Sequence, residues 1–330
     1  MADVKNYYVG FDTSNYTTSM AACDEDGNVL VNEKMPLAVK DGNRGLRQSD
    51  AVFLHVKNLT QMYDRFKSSA EGLGKLLAVG ASDRPRSCEG SYMPCFLVGY
   101  VSSLAYAQGA DVPSYTFSHQ DGHIMAALYS ASVSDDGERL DLESVMKEPF
   151  AAFHVSGGTT ELLYVEPDGN DFKVKMLGGT EDLNAGQAID RIGVKMGLSF
   201  PCGPALEELA RENKEKLPPR KICVKGYDCC LSGLENLALK IYAQSSDKSL
   251  TSAFVLEYVA DTLGKMTENL RNDYPDIPVI YAGGVMSNQI IRSRLQKREN
   301  VYFAQPLLSA DNAAGIALLC RRRHLEATSK

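Results

Sequence analysis

The sequence predicts an α/β protein built from two lobes. Its 330 residues exceed what one small core needs and suit two lobes of roughly 150 residues each. Short apolar strand candidates alternate with longer stretches in which apolar residues recur every three or four positions, the spacing of a helix. A unit of strand, small polar loop and returning strand stands near the start of the chain and again from residue 150, which indicates one such unit in each lobe.

The composition is that of an ordinary globular protein, with 44% hydrophobic and 23% charged residues. No apolar run approaches the roughly 20 residues that cross a bilayer, and the first residues lack a secretory apolar region, so we expect a cytosolic protein without membrane contact. The 8 cysteines form no CxxC pair, so we expect reduced thiols and no cysteine-based zinc site. The net charge of -7 argues against broad electrostatic binding of nucleic acid but leaves a local patch open.

The chain opens with a predicted β-hairpin. Residues 7–12 form an apolar strand candidate, 12–18 a polar loop, 19–23 an apolar-leaning segment, 24–27 a turn signal and 28–31 a further strand candidate. A loop of this kind presents hydroxyls and backbone N–H groups together, which can hold phosphate oxygens. Thr13 and Ser14 are therefore candidate phosphate contacts.

The pattern recurs with strand candidates at 150–155 and 161–165 around the small-residue loop 156–160. Adjacent glycines let a backbone approach a ligand closely and adopt positive φ angles. A single Gly-Gly pair is equally typical of a plain hairpin turn, so the repetition is what favours phosphate binding. The candidate ligands in this loop are Ser156, Gly157, Gly158 and Thr159.

A third glycine-rich element, Gly283 and Gly284, lies between a strand candidate at 277–281 and a helix predicted over 289–295. A helix N-terminus next to bare backbone can meet a nucleotide, although the same pattern also forms plain tight turns between a strand and a helix. Helices are also predicted over 51–66 and 251–270, whose apolar faces are assigned to the core. Residues 214–220, with two adjacent prolines, are predicted to form a surface connection.

His119 and His123 are the candidate metal ligands. If their segment is helical, residues four apart lie on one face, and both imidazoles can close on a single ion. The alternative is two histidines on a polar helix face, since two ligands alone do not make a site. His154 lies in an apolar strand candidate and is interpreted as a hydrogen-bonded core residue, while His55 and His324 carry no pattern.

Two hairpin phosphate loops and a strand, Gly-Gly, helix element resemble the actin-like ATPase superfamily. Within it the chain is similar to the TsaD family, the tRNA threonylcarbamoyladenosine transferases once labelled O-sialoglycoprotein endopeptidases. The resemblance implies a two-lobed actin-like fold (ASKHA, ribonuclease H-like) with a duplicated βββαβα core. It divides the chain into a first lobe at 1–118, completed by 305–330, and a second lobe at 119–304. It rests on residues 10–14, 119, 123, 155–160, 182–190, 200–204, 231–234, 282–285, 288 and 310–314.

The resemblance also implies a site and an activity. His119, His123 and Asp311 would hold one divalent metal ion, iron or zinc, for which neutral imidazole and carboxylate are suitable ligands. The loop 156–158 together with Asp190, Gly203 and Asn288 would line a pocket between the lobes for ATP or a threonylcarbamoyl-adenylate. The family reaction moves the threonylcarbamoyl group from that adenylate to a tRNA adenosine, with helper proteins of the tRNA-modification complex as partners. For Asn288 a helix N-cap role is a compatible alternative.

The chain departs from the family pattern in three loops. Residues 12–18 occupy the position of the usual family motif Glu-Thr-Ser-Cys-Asp-Glu-Thr but lack its last two acidic residues. In the second loop, Thr159 takes the place of the histidine in the usual family motif SGGHT. A Gly-Pro-Gly loop is replaced by 82–91, in which Arg84 and Arg86 are either phosphate contacts or solvated loop charges. The alternative function is therefore a non-catalytic nucleotide-binding paralogue that acts as a partner or switch. A metalloprotease is the least favoured function, because no HExxH motif is present.

Overall fold

The structure, a computed structural model, describes residues 5–14, 16–38, 46–133, 139–169, 171–305, 308 and 313–329. The chain forms two compact units, each built around a five-stranded mixed sheet. The first unit comprises Met1–Tyr129, Pro167–Lys173 and Ala310–Lys330, and the second comprises Ser130–Glu166 and Val174–Ser309. No helix among the described residues is both long and apolar enough to cross a membrane.

The elements up to residue 132 begin with three antiparallel strands. In chain order they are β1 (Tyr7–Thr13), β2 (Thr17–Asp24), β3 (Val29–Pro36), α1 (Gln48–Ser69), β4 (Leu76–Arg84), α2 (Phe96–Gly109), β5 (Ser114–Ser118) and α3 (His119–Ser132). The sheet order is β3-β2-β1-β4-β5, with β4 and β5 parallel to β1.

The remaining elements repeat this plan. They are α4 (Leu142–Val145), β6 (Phe150–Val155), β7 (Thr160–Asp168), β8 (Asp171–Gly179), α5 (Ala185–Lys195), α6 (Gly203–Glu212), β9 (Cys223–Lys225), β10 (Asp228–Cys230), α7 (Ser232–Ser245), α8 (Lys248–Asp273), β11 (Val279–Ala282), α9 (Gln289–Leu295), β12 (Val301–Phe303) and α10 (Ala314–Thr328). The second five-stranded sheet has the order β12-β11-β6-β7-β8, the reverse listing of the first, so β6, β7, β8, β11 and β12 correspond to β1 to β5. The predicted duplication is therefore present.

The two faces of the first sheet are covered by different helices, because side chains alternate along β1. Phe11 points to one face and contacts Tyr63 of α1 and Tyr106 of α2. Gly10 points to the other face, where a Cβ atom would lie 2.5 Å from the carbonyl oxygen of Ala313, so α10 lies directly on the strand. Asp12 follows Gly10 by two residues and therefore belongs to the α10 face.

The core of the second unit is organised around the long helix α8 and an aromatic ladder. Phe153, Tyr281 and Phe303 stand side by side on β6, β11 and β12, with ring centroids 4.9 and 5.1 Å apart. Such directly opposed pairs on one sheet face are the unit of sheet stabilisation. The three rings cover one face of the parallel strands β6, β11 and β12. Glycine-containing loops follow two of these strands, at 156–160 after β6 and at 283–284 after β11.

The helix that bears the two histidines packs within the first unit. Its Gly122 lies against Ile316 of α10, where a Cβ atom would be 2.8 Å from the Ile316 Cδ1 atom. The lobe boundary derived from the resemblance, at residue 118, precedes this helix, whereas the first compact unit continues to Tyr129. The close packing of two glycine-bearing helices accounts for this difference.

Candidate functional site

His119 begins the first turn of α3 and His123 begins the second, directly after β5. The start of the helix is fixed by Ser118 and Asp121, because the Asp121 N–H donates to Ser118 Oγ at 3.0 Å and the Ser118 N–H donates to Asp121 Oδ2 at 3.3 Å. The predicted helical spacing thus places both imidazoles on one face, with His119 Nε2 and His123 Nε2 2.9 Å apart. At this distance the two rings are hydrogen-bonded, with one Nε2 atom donating and the other accepting.

A buried carboxylate supports this pair from the sheet. Asp12, at the end of β1, is 0% exposed, and its Oδ1 lies 2.9 Å from His119 Nδ1. The Ser82 hydroxyl, on the adjacent strand β4, donates to the same oxygen. Asp12 Oδ2 is buried and has no hydrogen-bond partner among the described residues. Burial of an unsatisfied carboxylate oxygen is costly, so this atom indicates a ligand-dependent site.

The two predicted phosphate contacts of the first loop differ in what they touch. The Thr13 hydroxyl donates to the Cys95 carbonyl at 2.9 Å and accepts from the Gly99 N–H at 2.9 Å, so it connects the loop to α2. Ser14 Oγ is buried and has no hydrogen-bond partner among the described residues. Of the two hydroxyls, the geometry leaves Ser14 as the one that a ligand can engage.

His55, which the sequence interpretation left aside, supports the same loop from α1. It is fully buried, with Nε2 2.8 Å from the Ser14 carbonyl oxygen and Nδ1 2.8 Å from Thr18 Oγ1. Burial lowers the pKa of the imidazole below its ordinary value, so the neutral form donates from Nε2 and accepts at Nδ1. The sequence could have indicated this buried role, because His55 is the one polar member of a set of residues spaced as one face of a helix. The set is Ala51, His55, Leu59, Met62 and Phe66.

The two arginines of the replaced loop lie near the surface. Arg84 Nη1 pairs with its neighbour Asp83 at 2.5 Å, and about a third of the Arg84 side chain is exposed. Arg86 is exposed, and its backbone N–H donates to Ser91 Oγ at 2.9 Å. These contacts order the loop, and a phosphate would compete with Asp83 for Arg84.

The second glycine loop is a tight turn closed by Ser156. Its Oγ accepts from the N–H groups of Gly158 at 3.2 Å and Thr159 at 3.1 Å, and its own N–H donates to the Thr159 carbonyl at 2.7 Å. Gly157 and Gly158 are exposed, and a Cβ atom at either would meet nothing within 4 Å. The loop therefore presents bare backbone to solvent or to a ligand.

Helix α5 begins directly against this loop. A Cβ atom on Gly186 would lie 2.7 Å from Gly157 N, and the Gly186 N–H donates to the Ser156 carbonyl at 3.1 Å. The Ala185 N–H donates to Thr160 Oγ1 at 2.9 Å, which anchors the helix start to β7. Only glycine at 186 allows this approach, and it brings the helix N-terminus, with its favourable field for anions, next to the loop.

Asp190 follows one turn later and connects α5 to α6. Its Oδ1 accepts from the Cys202 N–H at 2.8 Å, immediately before Gly203 at the start of α6. Asp190 is half-buried and lines an open pocket of about 780 Å³ together with Gly157. The pocket is further lined by Gln187, Arg191, Val194, Lys195, Phe200 and Glu235.

The wall of this pocket combines apolar surface with paired charges. Phe200 is 75% exposed and Val194 is 53% exposed, which is unusual for residues of this size. Glu235 contacts Lys195 Nζ at 2.7 Å and Arg191 Nη1 at 3.3 Å, and hydrogen bonds from these two cations hold the pKa of its carboxyl below the ordinary value. An apolar wall with a few convergent polar groups is the usual form of a small-molecule site.

The third glycine element serves chain geometry. Gly283 has a φ of 103°, and a Cβ atom there would lie 2.3 Å from the Val155 carbonyl oxygen, so only glycine fits. Gly284 begins a short 3₁₀ turn, Gly284–Ser287. Asn288 Oδ1 accepts from the N–H groups of Ile290 and Ile291, both at 3.1 Å, and is the N-cap of α9. The pocket that Gly157 and Asp190 share is lined by none of the residues Gly203, Gly283, Gly284 and Asn288.

A three-ligand metal cluster is not assembled within the described part of the chain. No group of three or more His, Cys, Asp or Glu side chains there could hold an ion, and the third predicted ligand, Asp311, lies outside the described residues. The convergent Nε2 atoms of His119 and His123 supply two ligands of the type that iron and zinc accept. The described residues thus supply two of the three predicted ligands.

Comparison with known proteins identifies the family. The profile of TsaD, described as tRNA N6-adenosine threonylcarbamoyltransferase, matches residues 49–318. The chain belongs to the TsaD family. A curated tRNA N6-adenosine threonylcarbamoyltransferase of Thermus thermophilus is 30% identical over 96% of this chain and 93% of its own length. Another from Streptococcus equi subsp. zooepidemicus is 30% identical over 94% of this chain and 90% of its own.

Solved structures support the fold of this TsaD-family chain. Component A of the Acidaminococcus fermentans (R)-2-hydroxyglutaryl-CoA dehydratase matches with a TM-score of 0.52 at 15% identity, over 97% of this chain and 99% of that chain. HypF of T. kodakarensis matches with a TM-score of 0.59 at 14% identity, over 98% of this chain and 48% of that chain. With the duplicated sheet order, these matches confirm the predicted actin-like ATPase fold.

The TsaD loop departures fall at ordered positions. Tyr16, where the family pattern has its first missing acid, is 44% exposed, and its carbonyl accepts from the Leu37 N–H at 2.7 Å. Thr17 begins β2 and pairs with Pro36. Thr159, in the position of the family histidine, closes the turn described above. Tyr16, Thr17 and Thr159 are thus accommodated by normal strand and turn geometry.

Proposed function

We propose that this TsaD-family chain transfers a threonylcarbamoyl group from threonylcarbamoyl-adenylate to a tRNA adenosine, or performs a closely related carbamoyl transfer. The proposal combines the activity named for its relatives with residues retained here for a metal and a nucleotide. The acceptor would be tRNA, with helper proteins of the modification complex as partners and the cytoplasm as the compartment.

One observation carries the proposal: His119 and His123 direct their Nε2 atoms at each other, 2.9 Å apart, above the buried Asp12. The two rings are half-buried and hydrogen-bonded to each other, and a divalent ion bound by both Nε2 atoms would replace the proton of that hydrogen bond. Here the strand, the cap of α3 and the ring of Phe96, whose centroid is 5.7 Å from that of His119, fix the pair in place.

We assign the metal ligands as His119, His123 and Asp311, with iron or zinc as the ion. When bound, such an ion supplies Lewis acidity and a template that orients an acyl donor. The chain itself contributes two imidazoles on one helix face, of which His119 is held by a carboxylate from the sheet. It also carries a loop of bare backbone, 156–159, suited to an anionic group.

We assign adenine-nucleotide binding to the second unit. Gly157 presents an open Cα face to the pocket, and the Asp190 carboxylate can accept hydrogen bonds from ribose or threonyl hydroxyls. The exposed ring of Phe200 gives the pocket an apolar wall against which a base can pack. Ser156, Gly158, Thr159, Gly203, Gly283, Gly284 and Asn288 shape the loops and helix starts of this unit. Ser14, Arg84 and Arg86 remain the proposed phosphate contacts of the first unit, whereas the hydroxyl of Thr13 is engaged by Cys95 and Gly99.

The test is a transfer assay with the full-length protein, radiolabelled threonylcarbamoyl-adenylate and tRNA. Cell extract depleted of its own TsaD supplies helper proteins, and label in the tRNA is counted. We expect metal-dependent transfer that falls at least about 100-fold in His119→Ala. The matched control is His324→Ala, which removes an imidazole of the same unit that lies beside Tyr115 and should transfer normally. Equal transfer by wild type and His119→Ala would refute the proposal.

The second candidate is a non-catalytic nucleotide-binding partner or switch. The observation that favours it is the replacement of family acids by Tyr16 and Thr17 and of the family histidine by Thr159. A switch binds nucleotide but transfers no label to tRNA. Nucleotide binding together with absent transfer, in extract that supports a related TsaD, would therefore favour this function over the enzyme.

A further inference from the structure

We propose that Asp12 is a positioning residue that holds His119 in the one tautomer able to bind a metal ion through Nε2. The inference rests on the metal site proposed above and adds to it a residue that no ligand assignment includes. Asp12 itself would not touch the ion, because its hydrogen bond goes to the far nitrogen of the ring.

The tautomer follows from hydrogen-bond chemistry. Asp12 Oδ1 accepts from the Ser82 hydroxyl, and as an acceptor its 2.9 Å contact with His119 Nδ1 places the ring proton on Nδ1. In the neutral ring Nε2 then carries a lone pair, which accepts the hydrogen bond from His123 Nε2 at 2.9 Å and is the lone pair that a metal ion would use. Without the carboxylate, the ring proton could occupy Nε2 and block the ligand position.

The position of Asp12 is itself fixed by the sheet. Strand alternation sends it to the α10 face of β1, and the Ser82 hydroxyl on the parallel neighbour β4 donates to the same Oδ1. The His119 ring also packs against Phe96, with the ring centroids 5.7 Å apart. The imidazole is thus held between a fixed carboxylate and a buried aromatic ring, which sets its orientation as well as its tautomer.

The charge of Asp12 supports the same conclusion. The side chain is 0% exposed, and its Oδ1 lies 2.9 Å from Nδ1 of His119. A buried carboxylate facing a neutral ring is poorly compensated. A divalent ion on Nε2 would draw positive charge onto the ring that Asp12 contacts, so the carboxylate and the ion would stabilise each other. This is the arrangement in which metal-binding histidines commonly occur.

The test compares Asp12→Asn with Asp24→Asn in the full-length protein. Both changes neutralise a fully buried carboxylate of the same sheet, but Asp24 contacts Lys5 and Asn28 at the opposite end of β1 and β2. Zinc affinity is measured by competition with a chromophoric chelator. Long-range ¹⁵N–¹H spectra of the metal-free protein report which imidazole nitrogen of His119 carries the proton.

We expect Asp12→Asn to weaken zinc binding about 10- to 100-fold and to shift the His119 proton toward Nε2, because the amide can donate to Nδ1. Asp24→Asn should bind zinc within about threefold of wild type. Wild-type zinc affinity and an unchanged His119 tautomer in Asp12→Asn would overturn the role of Asp12 alone. Failure of the wild type to bind zinc would instead overturn the metal site, and the inference with it.

Discussion

Replacing Gly315 by alanine should separate α10 from α3 and destabilise the protein. A Cβ atom on Gly315 would lie 1.8 Å from the Gly122 carbonyl oxygen and 2.9 Å from the Ala126 nitrogen, and side-chain carbons essentially never approach other atoms closer than 3.0 Å. The difference, 3.0 − 1.8 = 1.2 Å, is the least displacement needed. Both contacts are backbone atoms of α3, so no side-chain rotation can relieve the clash.

Overpacking of this kind costs typically 1–3 kcal/mol and sometimes more, and an unyielding backbone clash places Gly315→Ala at about 3 kcal/mol or above. At about 2–4 °C for each kcal/mol, the Tm should fall by roughly 6–12 °C. Because Gly122 lies between the two histidines, zinc affinity should fall as well.

The assay is thermal unfolding followed by circular dichroism, with Gly109→Ala as the control. Gly109 ends α2 in the same unit, and a Cβ atom there would meet nothing within 4 Å, so alanine should leave the Tm unchanged or raise it slightly. If Gly315→Ala melts within about 1 °C of Gly109→Ala, the close approach of α3 and α10 is not as described here.

Three further predictions concern the nucleotide pocket and the first loop. Asp190→Asn keeps an acceptor for the Cys202 N–H but loses the negative charge. AMP affinity measured by calorimetry should therefore fall about tenfold with little change in Tm. An unchanged affinity would exclude Asp190 from the nucleotide site. Phe200→Ala should also weaken AMP binding about tenfold, and the Tm should stay unaltered because the ring is 75% exposed. A drop in Tm without a loss of affinity would show that the ring stabilises the fold and does not bind the nucleotide. Burial lowers the pKa of His55 in the folded state, so the unfolded chain binds the proton more readily and stability should decrease as the pH falls through about 6.5. The urea midpoints measured near pH 7.5 and pH 5.5 should therefore differ more for wild type than for His55→Gln. Equal differences in the two proteins would show that His55 does not cause the pH dependence.

The local architecture was predictable because it is encoded over short stretches. Alternating and apolar runs located β1, β2, β6 and β7, and helical spacing located α1, α8 and α9. The proline-containing connection at 214–220 has no helix or strand, as predicted. The repeated hairpin, together with the family motifs, also predicted the duplicated sheet, which the sheet orders confirm.

What the sequence concealed is contact between distant residues. Asp12 and His119 are 107 positions apart, and nothing in either segment signals that β1 and α3 meet. His55 was left aside for the same reason, since its partners Ser14 and Thr18 belong to another element. The glycines at 122 and 315 likewise acquire meaning only when two helices cross. Spacing along the chain predicts elements, whereas packing determines which polar groups become partners.

The most direct test of the proposed function is a crystal structure of the full-length protein grown with zinc and ATP. The account predicts an anomalous zinc peak bound by the Nε2 atoms of His119 and His123 and by Asp311, and a nucleotide that contacts Gly157 and Asp190. A zinc ion held without these histidines, or a nucleotide bound away from Asp190, would contradict it.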